Sequence, residues 1–348
     1  MRPRVVDWLL FALVTLETIT GFITFTLGAI DQRWLFVLHG ILGLALVVLV
    51  YWKVQRVWLR LTGPNRQQLT ALASVMSLGA VLLTFGTGLV WTSFQWPLGY
   101  PNGIMLHVLF GVLLLFFMIW HMVERYKPLH GRDLHGRRNA LRFLAMLVTG
   151  GVAWQSQQTV NQALVLPGAN RRFTGSRESD TDGGNTYPVT MWLLDNPSPV
   201  DLTRYQLRLH GAVTQALMLD YPALLTAATA QTRATIDCTG GWYTTQDWQG
   251  ISIDWLLEQV KPTTNAVAVS FVSITGYRWS LPLAEARATL LAMQVGHELL
   301  THGHGAPLRL VAPGRRGFQW VKWVAEIEVL TAADYGQSLA IFTSGLKR

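Results

Sequence analysis

The sequence predicts an N-terminal all-α transmembrane helix bundle, with four spans plus a short fifth, followed by an α+β, mainly β domain. Two observations predict this division. Hydrophobic residues, which make up 50% of the 348-residue chain, cluster before about residue 155 in stretches long enough to cross a bilayer. From about residue 187 the pattern changes to short alternating apolar runs, which are typical of strands.

Four apolar stretches reach the length of about 20 residues that a helix needs to cross a bilayer. They run over residues 8–30, 34–52, 69–91 and 104–123, with tryptophans near their ends, as interfacial aromatics do. A fifth stretch, 140–154, is shorter. We therefore expect a transmembrane four-helix domain over 1–138, the fifth span over 139–157, a polar linker over 158–186 and the mainly β domain over 187–348.

The formal net charge of +8 lies entirely in the helical half. Up to residue 142 there are 13 basic and 5 acidic residues, whereas the rest of the chain has 15 of each. A nucleic-acid-binding surface would need basic residues gathered on the soluble part, so this distribution argues against one. It fits a membrane topology signal instead.

The basic residues lie before span one, between spans two and three, and after span four. By the positive-inside rule the N-terminus is cytoplasmic, and with five spans the C-terminal domain of this multi-pass cell-membrane protein is extracytoplasmic. The fifth stretch opens with Arg137 and Arg138, and this segment resembles a twin-arginine export signal. Ordinary positive-inside arginines explain the pair equally well, so both interpretations stay open.

Two histidines lie at similar depth within the predicted spans. His39 is roughly 8 Å into span two and His107 roughly 5 Å into span four, at 1.5 Å per residue. Each precedes a glycine by four residues, Gly43 and Gly111, which leaves room beside a flat macrocycle. Two imidazoles at equal depth suit an axially bis-histidine haem b, whereas one alone would suit a hydrogen-bonded cavity residue. In this pattern the half resembles small four-helix b-type cytochromes of redox complexes.

Two further ionisable residues lie within or near the ends of spans. His121 is 14 residues beyond His107 and could bind a second haem, but the facing end of span two offers Trp52 and Lys53 rather than a histidine. Glu17 could carry protons near a quinone pocket or pair with a neighbouring polar group.

The C-terminal half contains five alternating apolar runs that predict strands, with short helical stretches such as 281–295 between them. The runs cover residues 205–209, 232–238, 266–274, 308–311 and 323–330. Cys238 is the only cysteine, so no internal disulfide is possible.

Two long motifs in this half resemble the molybdopterin-binding domain of the sulfite oxidase family. One is the cysteine segment ATIDCTGGW, residues 234–242, followed by WQGI at 248–251. The other is HGAPLRLVAPG, residues 304–314, followed by FQWVKW at 318–323. Molybdenum favours sulfur ligands, so one thiolate can complete a site whose other sulfurs come from the pterin. A lone cysteine would otherwise be a small buried hydrophobe.

The resemblance implies a set of site residues. It places Cys238 as the molybdenum ligand. Independently of the resemblance, we expect Tyr277, which precedes a strand in a position that could line the pocket, and Arg315, in a basic glycine-flanked loop, to be catalytic residues. The resemblance also implies a group that holds the pterin and its phosphate: Gly240, Gly241, His304, Arg309, Arg316, Gln319, Val321 and Lys322. For Arg315 and Arg316 a surface position is the simpler alternative.

Departures from the family pattern limit the substrate. Sulfite oxidases hold an anionic substrate with several arginines, and this chain has Thr190 at one such place and Gly240 to Tyr243 at others. Sulfite is therefore doubtful, and the size is closer to the bacterial members that reduce protein methionine sulfoxide. An uncharged or mixed oxo-compound such as a sulfoxide fits better.

Together these features predict a membrane-bound molybdenum-dependent oxidoreductase that performs oxygen-atom transfer or a related two-electron step. Haem b would exchange its electrons singly with quinone or another membrane carrier. Reduction is favoured slightly, because a membrane electron feed suits it. The alternatives are a membrane electron-transfer subunit with a non-catalytic docking domain, and a haem-free enzyme that the helices only anchor.

Overall fold

The structure is a computed structural model of the protein, and it describes residues 3–62, 69–95, 101–128, 130, 137–192 and 195–346. The chain forms two compact units, Met1–Arg177 and Glu178–Arg348. The unit boundary lies inside the linker predicted over 158–186. Several of the arginines used for the topology prediction, such as Arg66 and Arg132, lie outside the described residues.

The first unit is helical. Its long helices are α1 (Pro3–Thr26), α2 (Arg33–Thr62), α3 (Leu69–Phe94), α4 (Gly103–Glu124) and α5 (Arg137–Ala163). Asn102 begins α4 by accepting a hydrogen bond from the amide of Met105 at 3.1 Å. Four helical segments are long and apolar enough to cross a membrane, namely Pro3–Thr26, Ile30–Trp58, Leu72–Phe94 and Gly103–Glu124.

The helices bury apolar residues toward each other and leave others exposed. Leu13, Leu49 and Met118 belong to one buried cluster, while Phe22 and Phe116 are more than 60% exposed. A soluble helix would carry polar groups on that outer face. An apolar outer face is the pattern of helices solvated by lipid.

The predicted fifth stretch belongs to α5, which runs well past it to Ala163 and is not among the four apolar segments. It packs closely on α2. A Cβ atom at Gly150 would lie 2.6 Å from the carbonyl oxygen of Ile41, and one at Gly40 would lie 2.7 Å from the ring of Trp154. Glycines let two helix backbones approach in this way. Because α5 continues to Ala163, the expected linker begins several residues later than residue 158.

The second unit is an α+β, mainly β domain, as predicted. Its strands are β1 (Arg177–Glu178), β2 (Gln206–Gly211), β3 (Leu217–Asp220), β4 (Ala230–Cys238), β5 (Trp242–Ser252), β6 (Ala268–Ser273), β7 (Arg278–Pro282), β8 (Leu290–Val295), β9 (Glu298–Leu299), β10 (Arg309–Val311) and β11 (Val324–Leu330). Its short helices are α6 (Tyr221–Ala227), α7 (Ile253–Val260), α8 (Leu283–Ala286) and α9 (Ala340–Thr343).

The strands form two sheets. One has the order β1-β5-β8-β10, with β4 on β5 and β9 on β8, and the other has the order β3-β2-β11-β6-β7. Strands β2 and β11 pair in parallel, although more than 100 residues separate them in the chain. The core of the unit contains Trp248 and Trp320, both 1% exposed, which pack at a centroid distance of 5.6 Å.

One secondary-structure prediction was partly wrong. The stretch 281–295 holds only the four-residue helix α8, and its apolar end, residues 290–295, is strand β8. That strand lies between β5 and β10 and is almost fully buried. A strand buried on both faces is a continuous apolar run, so periodicity alone cannot distinguish it from a buried helix.

Candidate molybdopterin site

Cys238 ends strand β4, directly before the turn that leads into β5. Cys238 and Trp242 face each other across the ladder, so the chain must reverse within Thr239, Gly240 and Gly241. Gly241 has a φ of +88°, which a side chain would oppose, and its amide donates to the carbonyl oxygen of Cys238 at 3.0 Å. The Gly-Gly pair of the motif therefore builds the turn that presents the sulfur.

The sulfur of Cys238 lies in a buried, polar setting. The residue is 6% exposed, and the amide of Gly240 donates to Sγ at 3.3 Å. Burial raises the pKa of the thiol. The Gly240 amide, the Thr190 hydroxyl and the charge of Arg316 act in the opposite direction, because each favours a thiolate. A buried thiolate would need such donors, and a metal ion would hold the sulfur deprotonated.

Arg316 and Asp237 form a buried ion pair beside this cysteine. Their side chains are 3% and 2% exposed, and NH1 of Arg316 lies 3.0 Å from Oδ1 of Asp237. The same guanidinium donates from NH2 to the carbonyl oxygen of Cys238 at 3.1 Å. The surface alternative for Arg316 is therefore excluded.

Arg309 is a second buried cation, at the start of β10. It is 3% exposed, and NH1 donates to the carbonyl oxygen of His304 at 2.9 Å and to the hydroxyl of Tyr187 at 3.5 Å. Its Nε atom is buried without a hydrogen-bond partner in the described part of the chain. Burial lowers the pKa of Arg309, while the nearby Tyr187 and Cys238 act in the opposite direction. An anion at this point would satisfy the guanidinium.

Lys322 is a third cation, and it follows the second motif. Its Nζ atom donates to the carbonyl oxygens of Gly303 at 2.5 Å and of Thr190 at 3.0 Å. Burial, and next the charge of Arg309, lowers the pKa of Lys322 to about 7, while Cys238 and Asp195 act in the opposite direction. Neutral carbonyl oxygens do not balance the lysine charge.

His304 is held as a neutral ring. Nδ1 lies 2.8 Å from the hydroxyl of Thr301, and Nε2 lies 3.0 Å from the carbonyl oxygen of Tyr187. Burial lowers the pKa of His304 to about 4. The carbonyl can only accept, so Nε2 carries the hydrogen and Nδ1 accepts from Thr301. The ring also packs on that of Tyr187 at a centroid distance of 4.0 Å.

Gln319 and Val321 are fully buried between these cations. The side-chain oxygen of Gln319 accepts from the amide of Arg316 at 2.9 Å, and its Nε2 is buried without a partner among the described residues. Val321 accepts from the amide of Leu310 at 2.8 Å. A Cβ atom at Gly317 would lie 3.2 Å from Cα of Cys238, so this glycine lets the second motif approach the first.

Tyr277 and Arg315 are the two expected catalytic residues besides the cysteine. The side chains of both are hydrogen-bonded to other groups of the protein. The hydroxyl of Tyr277, a buried residue, donates to the carbonyl oxygen of Phe318 at 2.7 Å. Arg315 donates from Nε and NH2 to both carboxylate oxygens of Glu285, each at 2.5 Å. This bidentate pair occupies the guanidinium of Arg315, which is half-buried.

These contacts show how well the site would accommodate a molybdopterin. Arg309 is buried and Lys322 is half-buried, and their hydrogen bonds in the described structure go to neutral oxygens. Buried positive charge without an ion-pair partner is costly, so the site favours an anion. Buried NH groups of Arg309 and Gln319 offer it donors. A cofactor that carries a phosphate and thiolates meets both requirements.

Thr190, Asp237 and Trp242 are neighbours of the site to which the sequence assigned no role. Trp242 donates from Nε1 to the hydroxyl oxygen of Thr190 at 3.2 Å, and Thr190 in turn bonds the Cys238 thiol. From the sequence, Thr190 was only the residue at the place of a family arginine. For Asp237 the available signal was a charged residue within an otherwise buried end of β4.

In the helical unit, His39 and His107 lie together. Their ring centroids are 6.2 Å apart with an angle of 87° between the ring planes. The Nδ1 atom of His107 lies 2.8 Å from the carbonyl oxygen of Thr84. His121 instead lies near Ser74, with Nδ1 3.2 Å from the hydroxyl oxygen. Among the described residues no group of three or more potential metal-ligating side chains is found.

The glycines beside the two rings are not the expected ones. Gly43 faces Glu17 and Gly111 faces Thr84, whereas a Cβ atom at Gly88 would lie 2.8 Å from Nδ1 of His107. Helical side chains lean toward the N-terminus of their own helix and onto a neighbour, so the residue one turn later does not lie beside the ring.

Comparison with known proteins places the second unit in a family. Residues 194–338 match the model of the oxidoreductase molybdopterin binding domain. The protein-methionine-sulfoxide reductase catalytic subunit MsrP of Gluconobacter oxydans is 30% identical over 167 residues, which is 42% of this chain and 52% of that protein. The uncharacterized oxidoreductase YuiH of Bacillus subtilis is 28% identical, over 45% of this chain and 84% of that protein.

The matches do not extend to whole proteins of the reductase type. The chain spans about half the length of the MsrP relatives, for example 43% of the Burkholderia mallei protein at 28% identity. Among solved structures, the sulfane dehydrogenase SoxCD of Paracoccus pantotrophus matches with a TM-score of 0.38 and 23% identity, over 39% of this chain and 40% of that one. The family match and the site geometry concern the same residues. The C-terminal unit therefore matches the oxidoreductase molybdopterin binding domain over residues 194–338.

Proposed function

We propose that this chain is a membrane-bound molybdenum-dependent reductase that removes the oxygen of an uncharged oxo-compound, a sulfoxide, with electrons from a membrane carrier such as quinol. Haem b at His39 and His107 would pass these electrons one at a time. The observation that carries the proposal is the buried thiol of Cys238, with the buried cations Arg309, Arg316 and Lys322 acting on it.

The bound cofactor would supply the two-electron oxygen-atom transfer. Cys238 would be its protein ligand, and Gly240 and Gly241 would shape the approach to the sulfur. The remaining residues would surround the pterin and its phosphate, the cations and Gln319 through charge and hydrogen bonds and the others through packing: His304, Arg309, Arg316, Gln319, Val321 and Lys322. As a neutral ring, His304 can donate from only one nitrogen, and Tyr187 already takes that hydrogen bond.

Tyr277 and Arg315 take different roles in this proposal. Tyr277 is buried with its hydroxyl bonded to a backbone oxygen, so it can exchange that bond for one to a substrate oxygen. Arg315 donates hydrogen bonds from Nε and NH2 to the two carboxylate oxygens of Glu285. We therefore propose that Arg315 holds its loop in place, rather than contacting the substrate directly.

The substrate class is inferred from the substrate-binding arginines of sulfite oxidases that this chain lacks. The side chain beside the sulfur is the Thr190 hydroxyl, where a sulfite-binding site would have an arginine. A hydroxyl can bond a polar S=O group without requiring a negative charge. The MsrP relatives are named as methionine-sulfoxide reductase subunits, which supports a sulfoxide for this chain as well.

The haem proposal is supported by the hydrogen bonds of the two imidazoles. Both rings are hydrogen-bonded through Nδ1, His39 with the hydroxyl of Thr20 and His107 with a backbone oxygen, and this arrangement leaves Nε2 as the ligating atom. An ion that binds two imidazole nitrogens at about 2 Å each needs ring centres on the order of 6 Å apart. The observed separation is 6.2 Å. For His121 we find no comparable partner histidine among the described residues, so we propose one haem.

The proposed orientation depends on α5. Four spans would leave both ends of the helical unit on the same side, whereas a fifth places the C-terminal unit opposite the cytoplasmic N-terminus. The packing of Gly150 on Ile41 puts α5 against the apolar middle of α2, which supports a fifth crossing. Reporter fusions after residues 128 and 170 should then give opposite locations, and equal locations would contradict this topology.

The proposed function is tested by replacing the thiol. We expect Cys238→Ala to lose molybdenum-dependent sulfoxide reduction while the haem absorbance of the purified protein is unchanged. Thr239→Ala, in the same turn, is the matched control and should keep the metal and most of the activity. Molybdenum and haem per chain are measured together by metal analysis and visible spectroscopy. Wild-type protein from cofactor-producing cells that lacks molybdenum and has an alkylatable Cys238 would overturn the proposal.

A further inference from the structure

The Nδ1 atoms of His39 and His107 have different oxygen neighbours. Nδ1 of His107 is bonded to a backbone carbonyl oxygen, that of Thr84. Nδ1 of His39 lies 3.0 Å from Oε2 of Glu17 and 3.0 Å from the hydroxyl oxygen of Thr20. The Nδ1 atom of His39 therefore lies next to a carboxyl group within an apolar helix, whereas the Nδ1 atom of His107 lies next to a peptide oxygen.

The hydroxyl of Thr20 acts as an acceptor toward His39 when it donates to the backbone of its own helix. It donates its own hydrogen to the backbone of α1, with oxygens of Leu16 at 2.9 Å and of Glu17 at 3.1 Å. Nδ1 of His39 therefore has two oxygen neighbours at 3.0 Å, the hydroxyl oxygen of Thr20 and the carboxyl oxygen of Glu17.

Glu17 has little else to bond in this environment. Its Oε1 atom is buried without a hydrogen-bond partner in the part of the chain that the structure describes. Gly43 of α2 lies against the carboxyl group, since a Cβ atom there would be 3.5 Å from Oε2. An acidic side chain within an apolar span is costly and is retained where it has a function. Its contact with His39 indicates what that function is.

We propose that Glu17 is a positioning residue for the haem, acting through His39. By accepting the Nδ1 hydrogen it fixes the tautomer and the ring orientation and directs Nε2 to the iron. A carboxyl acceptor also makes the imidazole a better electron donor, which stabilises the oxidised iron and lowers the reduction potential. The two axial ligands would then differ in basicity. This inference rests on the proposed haem site.

The test measures the midpoint potential of the haem in the purified full-length protein, by redox titration followed in the visible spectrum. Glu17→Leu removes the carboxyl acceptor, and we expect the reduction equilibrium constant to rise on the order of tenfold, which is about 59 mV for one electron. Glu17→Gln keeps an oxygen acceptor without the carboxyl group. It should give a rise of roughly threefold, or about 28 mV.

Thr20→Val is the matched control, because it removes the neutral acceptor and leaves Glu17 in place. Its potential should change less than that of Glu17→Gln. A haem-loaded Glu17→Gln protein with the wild-type potential would overturn the inference, and this variant decides the matter if Glu17→Leu fails to assemble. A wild-type protein without a haem absorbance band would instead overturn the haem proposal itself, so the two failures are distinguishable.

Discussion

Arg316 and Asp237 illustrate, at the scale of single residues, how buried charge is arranged around the cysteine. The pair is almost fully buried, and it bonds the backbone of Cys238 as well. A buried ion pair adds little net stability, because desolvation offsets the attraction, but removing one partner leaves the other charge unpaired. Such a pair holds the two motifs in a fixed arrangement.

We expect Arg316→Met to lower the free energy of unfolding of the cofactor-free C-terminal unit by about 3–5 kcal/mol. The reason is the carboxylate of Asp237, which would stay buried without its main cation. Urea unfolding followed by tryptophan fluorescence measures the change. Arg287→Met removes an ion pair with Asp254 whose side chains are 40% and 45% exposed, and it should cost far less. Equal losses in both variants would contradict this view.

Lys322 makes the stability of the cofactor-free protein depend on pH. Its pKa is about 7 in the fold against 10.5 normally, so between these values the unfolded chain binds more protons than the folded one. The free energy of unfolding should therefore rise as pH increases from 7 toward 10. Below pH 7 both states are protonated and the full penalty applies. Lys322→Met should remove this rise, which denaturant unfolding at several pH values would detect; an identical slope in both proteins would argue against it.

At the scale of elements, close backbone approach decides how α2 and α5 pack. Gly150 and Gly151 are neighbours on α5, yet only Gly150 faces α2. A Cβ atom at Gly150 would meet the carbonyl oxygen of Ile41 at 2.6 Å, while one at Gly151 would meet nothing within 4 Å. The contact is formed by backbone atoms, which cannot move aside cheaply.

We expect Gly150→Ala to lower the thermal stability of the detergent-solubilised protein, because α5 would have to shift away from α2. Gly151→Ala is the matched control and should leave the melting temperature unchanged or slightly higher, since alanine favours a helix over glycine. Thermal unfolding followed by circular dichroism compares the two. A Gly150→Ala protein as stable as the control would show that the helices do not pack this closely.

At the scale of the whole molecule, the two units have separate cores. The C-terminal unit has its own cluster of buried residues, which includes Trp248, Leu291 and Ile327, and the helical unit has another around Leu13 and Leu49. A core of that extent within a domain of this size is usually sufficient for independent folding. The described residues assigned to the proposed molybdopterin site also all belong to the C-terminal unit.

A fragment of residues 178–348 should therefore fold and retain molybdenum when it is produced in cells that make the cofactor. It should show no haem absorbance band, because His39 and His107 are absent. Metal analysis and the visible spectrum of the purified fragment check both expectations. Aggregation of the fragment under conditions in which the full chain is folded would show that the units depend on each other.

Local pattern in the sequence was enough for much of this protein. Runs of apolar residues predicted the four long helices, alternation predicted β2, β4, β6, β10 and β11, and the two motifs predicted the cofactor family. Each of these signals lies within a few neighbouring residues. The same locality explains the error at 290–295, where an apolar run has no period that separates a buried strand from a helix.

Only the tertiary structure brought together residues that are distant in the chain. The contact of Thr190 with the Cys238 thiol, the pairing of Arg316 with Asp237 and the contact between Glu17 and His39 each join segments at least 22 residues apart. Their residue types could be read from the sequence, but their partners could not, because hydrogen bonds and buried charges depend on which surfaces meet when the chain folds. The sequence by itself determined the helical and mainly β halves and the cofactor motifs. The fold decided which side chains share a site.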